Sequence, residues 1–291
     1  MSFTTLITAA QLANHATKGL RVLDCRGRIG EPNWGQVAFD KGHILGAVHA
    51  DMDRHLATKP NQHGRHPLPP PQAWLAQVQA WGIENQDQII IYDDAGGSFA
   101  GRAWWMMRWL GHANVAVLDG GLNNWPGPLT KPGTSVQFYA PSTFQATTPL
   151  TKLSSTEDVL TLSTTLMDAT GLENEFLIDA RAQARFVGKE ELVDPVAGHI
   201  PGAVCLPFSD NLDDKGFFKT SDKLAQRFTD LGLSAAQQDI AVTVYCGSGV
   251  TAIHNILAMR IAGFGEAALY ADSWSGWIVD TNRSVATGLD Q

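Results

Sequence analysis

Cysteine is scarce: three residues, at 25, 205 and 246, in a chain of 291. An odd number at distant positions excludes a disulfide scaffold and points to a reducing compartment. Basic runs are missing as well. Lysine and arginine total 21 against 29 aspartates and glutamates, for a formal net charge of −8. Without a Lys/Arg block the chain lacks the footprint of a nucleic-acid or anionic-membrane binder. No stretch reaches the roughly 18 apolar residues that a membrane span needs. The N-terminus, Met1 to Ile7, has neither a basic region nor a long apolar core, so no signal peptide is expected and the expected location is the cytoplasm. His43, His49, His55, His63 and His66 are scattered over loops without ligand spacing, so no metal is expected. No cofactor is expected either. Gly96-Gly97-Ser98 invites a phosphate-loop reading, but no Gly-Lys-Ser/Thr follows.

What is there is ordered and globular, 44% hydrophobic and 17% charged, with room for two domains. Three motifs occur twice in the same order. Val22-Leu23-Asp24-Cys25-Arg26 returns as Leu177-Ile178-Asp179-Ala180-Arg181, and Gly42-His43-Ile44 as Gly198-His199-Ile200. Ile89-Ile90-Ile91-Tyr92-Asp93 returns as Val242-Thr243-Val244-Tyr245-Cys246. The pairs Asp24/Asp179, His43/His199 and Asp93/Cys246 are offset by 155, 156 and 153 residues, which marks a duplication.

Each half alternates strand and helix patterns. The first reads as a short helix capped by Thr8, a strand over Arg21–Arg26, a helix over Pro70–Trp81, a strand over Gln88–Tyr92, a helix over Phe99–Leu110 and a strand over Val115–Leu118. The second reads as a strand over Glu175–Arg181, a helix over Ser221–Leu231, a strand over Ile240–Tyr245, a helix over Val250–Ala262 and a strand over Ala267–Tyr270. Such alternation predicts an α/β fold with mostly parallel sheets flanked by helices and ligands at the carboxyl ends of strands. Residues 1–128 form the first expected domain and 151–291 the second. The Thr-, Pro- and Ser-rich stretch 129–150 between them reads as a linker, and Ser155 opens the next helix.

Cys246 lies in a tight strand-to-helix turn, Cys246-Gly247-Ser248-Gly249-Val250-Thr251. Glycines let successive amides curl around one point, and the following helix adds its positive end. Such a seat favours a thiolate and can bring a cysteine pKa from about 8.5 to roughly 4–7. A plain alternative is a buried strand-end cysteine whose glycines only make the turn.

Cys246-Gly247-Ser248-Gly249-Val250-Thr251-Ala252 resembles the active-site loop of two-domain rhodanese-like sulfurtransferases, in particular the 3-mercaptopyruvate sulfurtransferases, and the resemblance runs over nearly the whole chain. It implies two tandem rhodanese-like α/β domains and a cysteine that cycles between thiolate and persulfide. It implies a catalytically silent first domain, because Asp93 stands in place of the cysteine and a carboxylate cannot carry persulfide sulfur. It further implies that Asp53 completes a Cys–Ser–Asp arrangement with Cys246 and Ser248, Asp51 being its nearest rival. Arg185 matches the arginine that holds the substrate carboxylate, and Gly247, Gly249, Val250 and Thr251 line the substrate. His66 and Arg102 match positions that approach the site from the first domain. There are two departures. A second arginine usually precedes the Gly-His-Ile-Pro-Gly run, yet residues 188–197 hold none and offer only Lys189. The usual Asp-Gly-Ser-Trp reads Ala271-Asp272-Ser273-Trp274 here.

The expected function is transfer of sulfur from 3-mercaptopyruvate to a thiol, a protein thiol or cyanide, without nucleic acid or membrane as partners. Thiosulfate sulfurtransferases place basic residues directly after the cysteine to meet a dianion, whereas Gly247, Ser248 and Gly249 are uncharged. Thiosulfate with the same mechanism is the alternative donor. A cysteine phosphatase or arsenate reductase would need an arginine six residues after the cysteine, where Ala252 stands. A non-enzymatic persulfide carrier or redox sensor is the third reading.

Overall fold

Ile89, Ile90 and Ile91 are completely buried, as a strand covered by helices on both faces requires. At about 1.5–3 kcal/mol for each large aliphatic side chain removed from water, such central strands anchor the sheets. The computed structural model describes residues 2–16, 18–134, 138–168, 174–234 and 241–289. These residues fall into two units. The first comprises Met1–Thr58, Leu68–Leu150 and Asp214–Phe218; the second comprises Lys59–Pro67, Thr151–Asp213 and Lys219–Gln291.

The first unit contains β1 (Leu6–Ile7), α1 (Ala9–Ala13), β2 (Leu20–Asp24), α2 (Trp34–Lys41), β3 (Ala47–His49), α3 (Pro71–Ala80), β4 (Gln88–Tyr92), α4 (Ala100–Trp109) and β5 (Val115–Leu118). Its sheet is all parallel, in the order β1-β5-β4-β2-β3. The second unit contains β6 (Lys152–Ser154), α5 (Thr156–Met167), β7 (Glu175–Asp179), α6 (Gln183–Phe186), β8 (Val204–Cys205), α7 (Ser221–Thr229), β9 (Ala241–Tyr245), α8 (Ala252–Ile261), β10 (Ala268–Tyr270) and α9 (Ser273–Trp277). Its order is β6-β10-β9-β7-β8, again all parallel. Position for position the two orders are one topology, as a duplication requires.

The repeated motifs build the same scaffold twice. Arg26 clamps Asp24 through its own amide (2.9 Å) and its guanidinium (2.6 Å), and Nη2 also donates to Gly42 O at 2.8 Å. Arg181 repeats this on Asp179 (2.9 and 2.6 Å) and on Gly198 O at 2.7 Å. Burial works against the charge of Arg181, but Asp179 raises its pKa above the ordinary arginine value. Ile44 N–H donates to the Tyr92 hydroxyl and Ile200 N–H to the Tyr245 hydroxyl, each at 3.1 Å. His43 stacks on Phe39 at 3.7 Å and His199 on Phe186 at 3.6 Å, with Nδ1 against the same phenylalanine's carbonyl oxygen. These paired histidines therefore serve the scaffold.

Thr8 and Ser155 form the N-caps of α1 and α5, each in a capping box with Gln11 and Asp158. The expected helices are found, trimmed by one or two residues at their ends. The largest differences are at α8, where Val250 and Thr251 stay in the loop and Thr251 takes the cap position, and at α7, which ends at Thr229. Ile240, expected in a strand, lies outside the described residues. Short β6 pairs with β10 ahead of Ser155, an element too brief to carry a periodic signal.

Residues 129–150, expected as a linker, are grouped with the first unit. Thr130 N–H donates to His43 O, Ser142 N–H to Gln79 O, Thr147 N–H to Leu110 O and Leu150 N–H to Arg108 O, at 2.8–3.0 Å. Phe144 is 1% exposed. The stretch is polar yet strapped down by its backbone. No helix among the described residues is long and apolar enough to cross a membrane.

Candidate active site

Cys246 follows β9 directly and is 1% exposed. Its N–H donates to Ser273 Oγ at 3.1 Å, and the Ser273 hydroxyl donates to Tyr270 O at 2.9 Å. Ser273 holds a left-handed backbone with φ of +54°, uncommon for a residue with a side chain. The loop carbonyls are met from the same direction: Trp274 N–H donates to Cys246 O at 3.0 Å and Ser275 N–H to Gly247 O at 2.9 Å. The start of α9 thereby fixes the cysteine loop from below. Gly249 has φ of +75°, and a Cβ there would stand 2.3 Å from Ala271 O, so only glycine fits.

Ser248 is 5% exposed, and His66 Nδ1 lies 2.7 Å from its Oγ. His66 comes from the first half of the sequence, but Lys59–Pro67 is grouped with the second unit. Several bonds hold this segment to α9. Arg65 N–H donates to Ser275 Oγ at 3.1 Å, and His63 Nδ1 stands 2.9 Å from Asp272 Oδ2. A Cβ on Gly64 would stand 2.5 Å from Ser275 Oγ. Asp272, the unexplained departure from the usual tetrapeptide, is therefore an anchor for the segment, and it also accepts from the Thr156 hydroxyl at 3.1 Å.

Arg185, on α6, donates through Nε and Nη2 to Glu191 (2.8–3.1 Å) and through Nη2 to Asp194 at 2.9 Å. The loop that lacks a second arginine thus supplies two nearly buried carboxylates, with side chains 4% and 2% exposed. Arg65 pairs with the other oxygen of Asp194. Burial and the neighbouring Arg185 lower the Arg65 pKa, and Cys246 and Glu191 oppose that shift. A Cβ on Gly247 would meet Arg65 Nη2 at 3.0 Å and Arg185 Nη1 at 3.3 Å. Both guanidinium groups reach the residue next to Cys246.

The remaining candidates belong to the first unit. Asp51 caps the π-helical turn Met52–Leu56, its Oδ1 accepting from Asp53 N–H at 2.9 Å and Arg54 N–H at 3.0 Å. That engagement distinguishes it from Asp53, whose carboxyl is held above the ordinary range by burial and by the Asp51 charge. Arg102 is fully buried on α4 and donates through Nε to Leu56 O at 3.1 Å. Among the described residues no group of three or more His, Cys, Asp or Glu side chains could hold a metal ion.

Sequence reasoning singled out Cys246, Ser248, Arg185 and His66, and the fold brings these four into one unit. It gave no role to Arg65, Glu191 or Asp194, and noted Asp272 only as a departure from the usual tetrapeptide. Arg65 directly precedes His66, which was the available signal.

The chain is 44% identical over 292 residues to a probable 3-mercaptopyruvate sulfurtransferase of Pseudomonas aeruginosa, covering 99% of this chain and 100% of that one. It is 33% identical to the thiosulfate sulfurtransferase of Mus musculus, over 89% of this chain and 84% of the relative. Among solved structures, a 3-mercaptopyruvate sulfotransferase from Escherichia coli superposes with a TM-score of 0.77 at 30% identity, over 94% of this chain and all of that one. The Rhodanese-like domain family matches twice, over residues 8–127 and 163–280. With both halves matched and relatives aligned along almost its full length, the chain belongs to the rhodanese-like family.

Proposed function

We propose that the protein moves sulfur from 3-mercaptopyruvate to a thiol or cyanide through a persulfide on Cys246. Its full-length relatives place it in the mercaptopyruvate and thiosulfate sulfurtransferase class of enzymes, which sets aside the non-enzymatic carrier. The observation that carries the finer reading is the 2.7 Å contact of Ser248 Oγ with His66 Nδ1, two residues from Cys246.

The Cys246 thiolate attacks the thiol sulfur of the donor. The new S–S bond forms as the C–S bond breaks, and its electron pair passes to the departing pyruvate as an enolate. That enolate must gain one proton at carbon to become pyruvate. A serine hydroxyl hydrogen-bonded to an imidazole can deliver a proton and recover it from the ring. In the second half-reaction an acceptor thiolate takes the outer sulfur and Cys246 leaves as thiolate, a covalent route in two steps. Thiosulfate would load the same cysteine but would release sulfite, which needs no proton on carbon.

Steady-state transfer to cyanide, with mercaptopyruvate and thiosulfate compared on wild type and Cys246→Ser, tests the proposal. Preference for mercaptopyruvate, abolished in the variant, is the expected result. Preference for thiosulfate would reverse the donor assignment, and activity without Cys246 would remove the nucleophile.

A further inference from the structure

We infer that Arg65 supplies the second guanidinium of the donor site, forming with Arg185 a two-pronged subsite for the carboxylate of a 3-mercapto-2-oxo acid beside Cys246. This rests on the sulfurtransferase reading above and adds a residue that lies in the other half of the sequence.

Arg185 engages Nε and Nη2 with Glu191 and Asp194. Arg65 engages Nη1 with Asp194. Among the described residues no hydrogen bond uses Arg185 Nη1, Arg65 Nη2 or Arg65 Nε, and that last atom is buried without a partner. A buried N–H of a charged group without an acceptor is costly unless a ligand supplies one. Arg185 Nη1 and Arg65 Nη2 are also the atoms that converge on Gly247, 3.3 and 3.0 Å from where its Cβ would be. Glycine at 247 leaves that space open for an anion next to the reactive sulfur. Asp194 bridges the two arginines through its two oxygens, fixing the spacing between their forks.

The charge balance gives the ligand class. Glu191 and Asp194 offset Arg65 and Arg185 one for one, so the cluster carries no formal surplus of positive charge. A neutral cluster with free, directed N–H groups suits a planar monoanionic carboxylate, which guanidinium groups meet in paired geometry. A dianion would call for surplus positive charge.

The test compares wild type, Arg65→Gln, Arg65→Lys and the double variant Arg65→Gln/Asp194→Asn. Loading of Cys246 is followed as the mass gain of one sulfur atom, and KM and kcat are measured for mercaptopyruvate and thiosulfate. The single Gln variant is expected to raise KM for mercaptopyruvate on the order of 10- to 100-fold, as loss of a charged hydrogen bond to ligand does, with kcat within about threefold. Lysine should restore only part of the loss, and KM for thiosulfate should move less. If Arg65 merely neutralises Asp194, the double variant returns KM to the wild-type value, and the inference is overturned. If it binds donor, the double variant stays impaired. Binding of pyruvate to Cys246→Ser and to Cys246→Ser/Arg65→Gln, read by calorimetry, gives a second check independent of turnover: equal affinity in both overturns the subsite. Should wild-type Cys246 gain no sulfur from mercaptopyruvate while gaining it from thiosulfate, the donor reading fails and the inference falls with it. Loading with an unchanged KM in every Arg65 variant removes the inference alone.

Discussion

Asp93 directly follows β4 as Cys246 directly follows β9, and its carboxylate turns back into its own loop. Oδ1 accepts from Ala95 and Gly97 N–H, each at 2.9 Å, and Oδ2 from Phe99 and Ala100 N–H, each at 2.8 Å. The amide cradle of the first unit is thus filled by a resident anion. Burial raises the Asp93 pKa, and the four amides oppose the shift. Replacing Asp93 with alanine should destabilise the first unit by about 3–5 kcal/mol, because four buried amides lose their acceptor. Urea unfolding of Asp93→Ala at an unchanged midpoint would show that the cradle tolerates vacancy.

The relay makes a prediction that distinguishes the donors. Ser248→Ala should lower kcat with mercaptopyruvate by roughly 10²- to 10⁴-fold, the usual range for loss of proton transfer. His66→Gln should follow it, since the ring is the partner of that hydroxyl. Thiosulfate turnover should change by only a few-fold in both. Equal losses with the two donors would place Ser248 in the loop's structure and outside proton transfer.

Gly249→Ala meets two obstacles, a φ of +75° and a carbonyl oxygen 2.3 Å from the added Cβ. The left-handed backbone alone costs of the order of 1–3 kcal/mol for a residue with a side chain. The variant should lose more than about tenfold in activity as the loop shifts away from Ala271, with a lowered melting temperature. Wild-type turnover in the variant would show that the loop needs no such closeness to β10.

Acid should weaken the first unit through His55. Burial lowers the His55 pKa from 6.5 to about 4, and its Nδ1 accepts from Asp51 N–H at 2.9 Å, which requires a neutral ring. Because the folded value is depressed, the unfolded chain binds the proton first. The contribution is complete above about pH 7 and is lost as pH falls from 6.5 toward 4. The linked loss is about 2 kcal/mol at pH 5 relative to pH 8. His49 and His112 of the same unit are lowered in the same direction. His55→Gln should flatten this slope in urea titrations at pH 5 and 8, and an unchanged slope would assign it to other groups.

Much of the fold was legible because its elements repeat. Strand-end Asp24/Asp179 and the Gly-His-Ile runs are held by local, near-identical bonds, so their sequence spacing mirrors the duplicated sheet order. Cys246 and Ser248 stood out as candidates because a glycine-flanked loop is a local signal. Arg65 was not, because Asp194 lies 129 residues away and no periodicity links them. Glu191 and Asp194 registered only as an absence of arginine, although their carboxylates hold the arginine that is present. The stretch 129–150 read as a linker because its anchors are backbone hydrogen bonds, which composition does not report.

Lys59–Pro67 follows β3 and counts with the second unit, and Asp214–Phe218 follows β8 and counts with the first. The two segments occupy corresponding places in the duplicated order, and each is grouped with the unit to which its flanking elements do not belong. A gene cut at the boundary near residue 150 would therefore separate Cys246 from Arg65 and His66, and the cysteine-bearing fragment would need its sibling supplied in trans.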